Sequence, residues 1–230
     1  MTDVNTAGQV GPQVLNDGSI GARFRQGKGG EQVVTDLHGR FYEQNNRGNL
    51  FSAGMGMTSI SNATYTTGTL GNTVTAIAGV WNPPTSLVNL VILQAILAVS
   101  QTALQATGPG GFVWASSVGN TAISVGAAPL NRKTLVASGS SAKDLTNLAP
   151  TGLTNNLTVK HASSLGGGSA IGTAFLATQA GAQTVQAAAN TENIDGSIIV
   201  PPGAFLALLA TITPVGHSAA SALVWEEVPL

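Results

Sequence analysis

The chain has 230 residues, enough to bury a sizeable core in one or two domains. Only 8% of them are charged, against about 25% in ordinary globular chains, and the net charge is −1. That balance gives no general pull toward nucleic acid or an anionic membrane, and the lack of cysteine removes disulfides and thiolate chemistry. The hydrophobic fraction of 43% excludes the charged, apolar-poor kind of disorder. A surface this poor in charge is expected to be covered by copies of the chain or by other proteins, which predicts an obligate oligomer. The opening MTDVNTAGQV lacks the basic and apolar regions of a Sec-type signal, so synthesis in a cytoplasm followed by assembly is expected.

In chain order, residues 1–30 read as an extended arm. Glycines at 8, 11, 18, 21, 27, 29 and 30 punctuate it too often for a helix or a long strand. Residues 31–48 are the most polar stretch, and Arg23, Arg25, Lys28, Arg40 and Arg47 cluster in and before it. Phe41, Tyr42 and Phe51 sit among these charges. Aromatics beside Arg are typical of interface hot spots. These eight residues therefore form a candidate docking surface. A solvated, ion-paired face is an equal alternative for the charges, and local core an equal alternative for the aromatics. The expected organisation is an arm and docking segment over residues 1–58, then a β-sandwich over 59–230.

From Gly48 to Asn131 there is no Asp, Glu, Lys or Arg. Thr-rich residues 59–69 favour strand, Gly71-Asn72 a turn, and residues 73–80 an alternating, half-buried strand. Pro83-Pro84 makes a corner before residues 87–99, LVNLVILQAILAV, the most apolar run of the chain. It is shorter than the roughly 20 residues a bilayer span needs. Helix and strand compete here. The corner, the Val and Ile content and the preceding alternation favour a central strand covered on both faces. Residues 107–111 break the chain, and short strands are expected at 112–115, 121–125 and 154–160. Residues 174–189 are balanced between helix and strand. The C-terminal part is the most clearly β: a strand at 198–200, a Pro201-Pro202-Gly203 corner, a strand at 205–213, a turn, and a final strand at 222–228. Short strands between turn signals predict an all-β sandwich or barrel.

Chemistry is thinly represented. His38, His161 and His217 are far apart in sequence and have no partner at metal-ligand spacing. Glu226 and Glu227 are neighbours on a strand and point to opposite faces, so they form no acid/base pair. Glu192 and Asp195 flank a turn that is better read as capped than as a cation site. Residues 166–172, GGGSAIG, lack the Gly-Lys-Ser/Thr ending of a phosphate loop. Ser140-Ser141 lacks the frame of a nucleophile elbow. Two glycosylation sequons, at Asn62 and Asn156, have no secretory signal to support them. No catalytic residue, metal or cofactor is expected. Trp81 and Trp114 would suit sugar stacking if exposed, with core packing the favoured reading of both.

Gly79-Val80-Trp81-Asn82-Pro83 with the apolar strand after it resembles a pattern in structural proteins of tailed bacteriophages. So do Asp195-Gly196-Ser197, the corner at Gly203, Phe205-Leu206-Ala207-Leu208 and the ending Leu223-Val224-Trp225-Glu226-Glu227-Val228-Pro229. Residues 37–51 are similar to a stretch of uncharacterised virion proteins. The resemblance implies a jelly-roll-like sandwich, similar to the trimeric domains of head fibres, decoration proteins and collar or tail attachments. It implies location in a virion and partnership with itself and with capsid, neck or tail subunits. It brings no catalytic residues. A receptor- or glycan-binding module on the same sandwich is the alternative, and an enzyme is disfavoured by the scarcity of carboxylates and histidines.

Overall fold

The computed structural model describes residues 8–9, 24–25, 41–60, 63–66, 74–101, 111–123, 126–137, 139–165, 187–213 and 215–230. The chain divides into two units, Met1–Glu43 and Gln44–Leu230. In the first, β1 (Gly8–Gln9) pairs in parallel with β2 (Phe24–Arg25). The helix α1 (Tyr42–Arg47) spans the boundary. The second unit is all-β. Its strands are β3 (Leu50–Ser59), β4 (Ala78–Trp81), β5 (Val88–Gln101), β6 (Phe112–Ser117), β7 (Leu130–Asn131), β8 (Lys143–Asp144), β9 (Thr158–Ala162), β10 (Ala187–Val200), β11 (Phe205–Ala210) and β12 (His217–Pro229).

These strands form two five-stranded antiparallel sheets, ordered β10-β5-β12-β3-β7 and β8-β4-β11-β6-β9. The pairing is nested: β3 lies beside β12, β4 beside β11, β5 beside β10 and β6 beside β9. A long ribbon rolled up on itself gives this order, which is the jelly-roll form of the β-sandwich. The two-residue strands β7 and β8 are additions at the edges beside β3 and β4.

The predicted strands at 87–99 and 205–213 are β5 and β11, each with a neighbour on both sides. β5 changes phase midway. Leu90 and Ile92 face the core, then Ala95, Leu97 and Val99 do. The pairing with β12 shifts between Ile92 and Gln94, so Leu93 is an inserted residue and inverts the alternation. Both Pro-Pro corners lie at the same end of the sandwich. Asn82 N–H donates to Ala204 O at 2.9 Å and Gly203 N–H to Asn82 O at 2.7 Å. Gly203 has φ +78°, a conformation that a residue with a Cβ adopts at a cost.

Several expectations change. The sandwich begins at Gln44, not at residue 59: β3 pairs with β12 along most of its length, so it is a strand of the main sheet rather than part of a docking arm. Of the strand expected at 73–80, β4 takes only Ala78–Trp81. Residues 121–123 are not a strand, and Ile123 packs on the outer face of a sheet instead. The expected strand at 154–160 is displaced to β9. Of the ambiguous 174–189 segment, residues 174–186 lie outside the described residues, and 187–189 open β10.

The two sheets are covered differently. Leu206, Leu208 and Ala210 of β11 belong to the core between the sheets. Phe205, Ala207 and Leu209 belong to a second core on the other side, with Ile123, Leu145, Leu153 and Leu157 from the connecting segments. All six residues of β11 are therefore buried, which accounts for its unbroken apolar sequence. Among the described residues, the sheet containing β5 has one such core only. Its alternate residues, Gln94, Ile96 and Ala98 on β5, face away from it.

Candidate functional site

The predicted docking residues do not converge. Arg23, Lys28 and Arg40 lie outside the described residues, and Arg25 belongs to β2. Phe41 is half-buried, Tyr42 is exposed, and Arg47 is exposed at the end of α1. Tyr42 and Arg47 are five positions apart on the helix, which places them on different faces. Phe51 is a correction. It is 3% exposed and stacks on Trp225 with ring centroids 6.4 Å apart, so it is a core residue and not a docking residue. Its position on β3 explains this, because Phe51 pairs in register with Trp225. Phe51→Ala is expected to cost about 3–4 kcal/mol of stability, read as a lower urea midpoint with an unchanged slope.

The outer face of the β5 sheet is a further surface, which sequence reasoning did not delimit. Thr191, Ile96, Ala222 and Gly54 form one transverse row in register across β10, β5, β12 and β3. Asn193, Gln94, Val224 and Ser52 form the next, continued by Leu130 of β7. Ala189, Ala98 and Ala220 form a third. No charged residue occurs in these rows. Ile96 is 37% exposed and the side chains around it are small, whereas Val224 in the next row is 2% exposed, so the face is open around Ile96 and covered at Val224. At Gly54 an added Cβ would stand 2.6 Å from Ser221 O, so only glycine lets β3 approach β12 there. The expectation that residues 87–99 are covered on both faces is met on the inner face within one chain. On the outer face Ile96 stays partly open.

A second feature joins the two sheets at their open edges. Glu192 on β10 is buried and accepts hydrogen bonds from Trp114 Nε1 on β6 at 3.0 Å, from Ser164 N at 2.9 Å and from Ser163 Oγ. Burial has the largest single influence on this carboxyl and pushes its pKa up. The hydrogen bonds from Ser163, Ser164 and Trp114 together outweigh it, and the net pKa lies below the ordinary glutamate value. Glu192 is thus a structural clasp rather than the capped-turn residue expected, and the turn beside it is made by Asp195 and Gly196, both at positive φ. Two other carboxyls are pushed upward, chiefly by burial: Glu227, which accepts from Ser140 Oγ, and Asp144, which accepts from Thr146 N.

The indoles of Trp81, Trp114 and Trp225 are all buried, so none offers a ring face for stacking on a sugar. His217 is buried with Nδ1 3.0 Å from Val215 O, whereas His161 is exposed on β9. Among the described residues, no three His, Asp or Glu side chains are grouped so as to hold a metal ion. No helix among them is long and apolar enough to cross a membrane. No protein-family model, curated protein or solved structure matches the chain.

Proposed function

We propose that this chain is a non-enzymatic structural subunit of a tailed-phage virion, of the head-decoration or head-fibre type. Copies assemble as a trimer, and the N-terminal unit anchors them to other virion proteins. The observation that carries the assembly part is the contrast between the two sheets. The β11 sheet has its outer face covered by the chain's own connections. Among the described residues, the β5 sheet has an outer face of three uncharged rows with no second core cluster over them. A second copy is the occupant that such a face suits, since self-assembling interfaces resemble a core cut in half. The virion part rests on the resemblance of the Gly79–Pro83 motif and the C-terminal strands to phage structural proteins.

Sedimentation of the full chain is the direct test. The wild-type protein is expected to remain oligomeric at micromolar concentration. Ile96→Glu introduces an unpaired carboxylate into every copy of the face and is expected to raise the dissociation constant about 100-fold or more, with the fold retained. A well-folded wild-type monomer would remove the reading. Deleting residues 1–43 is expected to leave purified particles without this protein while the sandwich still associates. Full incorporation of that deletion would remove the anchoring role.

A further inference from the structure

Beside the Glu192 clasp, where β9 and β10 form the open edges of the two sheets, lies a groove of about 380 Å³, a size suited to a small molecule. Lys160 and His161 of β9 line it on one side, with Ser116 of β6. Ile198 and Val200 of β10 form its floor as part of the core, and Val118 and Pro201 stand exposed at its rim. Adjacent residues of a regular strand point to opposite faces. Here they do not. In the β9–β6 ladder, Trp114 is paired with His161 and Ala115 with Val159, so Lys160 is an inserted residue. Such a bulge re-aims side chains, and it brings the ammonium and the imidazole into the same groove.

Among the described residues, neither Lys160 nor His161 has a hydrogen-bond or ion-pair partner, and no carboxylate lines the groove. Asp195 lies on the neighbouring excursion of β10 and is not part of the lining. The Glu192 carboxylate is directed to Trp114, Ser163 and Ser164, so its charge is already satisfied. By holding Ser163 and Ser164, which directly follow β9, it also fixes the strand that presents Lys160. The groove therefore joins unpartnered cationic and hydroxyl donors to an exposed apolar rim of Val118 and Pro201, on a held scaffold. A ligand that satisfies both carries an anionic head and an aliphatic body. A sugar is a poor match, because Phe205, the aromatic residue at the groove, is buried.

We propose that this groove binds a small anionic amphiphile, a carboxylate or phosphate ester on a short aliphatic chain, with Lys160 and His161 holding the head and Val118 and Pro201 the body. The site is independent of the uncharged sheet face and of the virion reading. Calorimetric titration of the full chain with hexanoate, hexyl phosphate and 1-hexanol tests it. At least one of the two anions is expected to bind about tenfold or more tightly than the alcohol, and their order identifies the head group. Lys160→Met is expected to abolish that advantage, whereas Arg132→Met, on the turn after β7, leaves it intact. Both side chains are exposed and neither has a side-chain partner among the described residues, so the variants should melt like the wild type. Equal binding of the alcohol and both anions, no binding of any of the three, or an unchanged anion preference in Lys160→Met would each overturn the proposal.

Discussion

Glu192→Ala is expected to destabilise the folded chain by about 3 kcal/mol, among the largest effects of any single polar substitution in the protein. The substitution leaves the Trp114 indole N–H, wholly buried on β6, and the Ser164 amide without their acceptor. It also unties the end of β9 from β10, and among the described residues β9 is the edge strand of its sheet. Glu192→Gln keeps one acceptor oxygen and the side-chain volume, and is expected to cost about half as much. The two variants separate packing from charge. The pH dependence then isolates the charge. The folded pKa of Glu192 lies below its unfolded value of about 4.3. The ionised clasp therefore contributes its full stability above that unfolded pKa and loses it as pH falls through the lower, folded one. Asp144 and Glu227 have raised folded pKa values and act in the opposite sense, since acid favours their folded, protonated forms. Total stability against pH is thus a mixed signal. The difference between wild type and Glu192→Gln is not: it should be constant from neutral pH down to about 5 and shrink below about 4. Urea unfolding at a series of pH values measures it. A difference that stays constant to the lowest pH would mean that the carboxylate is not ionised in the clasp.

What the sequence made legible follows from range. β5, β6, β11, β12 and the two Pro-Pro corners rest on local signals: β-branched and apolar runs, and Pro and Gly that dictate turns. β3 was hidden because LFSAGMGMTS has two glycines and few β-branched residues. Its strand form comes from its pairing partner β12, at the opposite end of the chain, in the ladder that joins Trp225 to Phe51. The first half of β10, AAANTEN, is similarly poor in strand formers and is held against Leu97, Ala98 and Val99 of β5. The Glu192 clasp was illegible for the same reason. Its partners are 28, 29 and 78 positions away, and no local spacing announces them. The bulge that turns Lys160 beside His161 depends on the register of a ladder, which a single sequence does not display. The candidate surfaces thus arise where strands meet out of step, whereas the fold arises where they meet in step.

The two sheets differ on the same ground. A strand that is apolar along its whole length predicts cover on both sides. β11 receives it from the chain's own segments, through Leu145, Leu153 and Leu157. β5 has the same kind of sequence, but a phase change at Leu93 divides its apolar residues between the core and the outer face. The outward set is Val91, Ile96 and Ala98, flanked by Ile199 and Thr191 of β10, with the charged Glu226 of β12 paired beside Val91 at the margin of the uncharged rows, and Ile199 is 55% exposed. The chain thus places apolar residues on a face over which no cluster of the described residues closes, and that excess is the physical content of the assembly proposal.

The corner residue Asn82 should be the least replaceable polar side chain in the sandwich. It is wholly buried, and its Nδ2 donates to Val88 O at 2.9 Å and to Val200 O at 3.0 Å. Those carbonyls belong to the first residue of β5 and the last of β10, so one amide group joins both Pro-Pro corners and both sheets at that end. Asn82→Ala leaves two carbonyls without a donor and opens a small void, and is expected to cost about 2–4 kcal/mol. Asn82→Asp has nearly the same shape and should be worse, at about 4 kcal/mol or more near neutral pH. A carboxylate there turns the donor into an acceptor facing two carbonyl oxygens and buries an unpaired charge. The ranking is informative because shape alone predicts the reverse. It also predicts a pH response of definite sign. A carboxyl so placed would have a raised folded pKa, so Asn82→Asp should regain stability as acid protonates it and restores one donor, while Asn82→Ala should not. Urea midpoints for both variants at neutral and mildly acidic pH decide the matter. If Asn82→Asp were tolerated as well as Asn82→Ala at neutral pH, the Nδ2 bonds to Val88 and Val200 would contribute nothing to stability, and the corners would be joined by their backbone bonds alone.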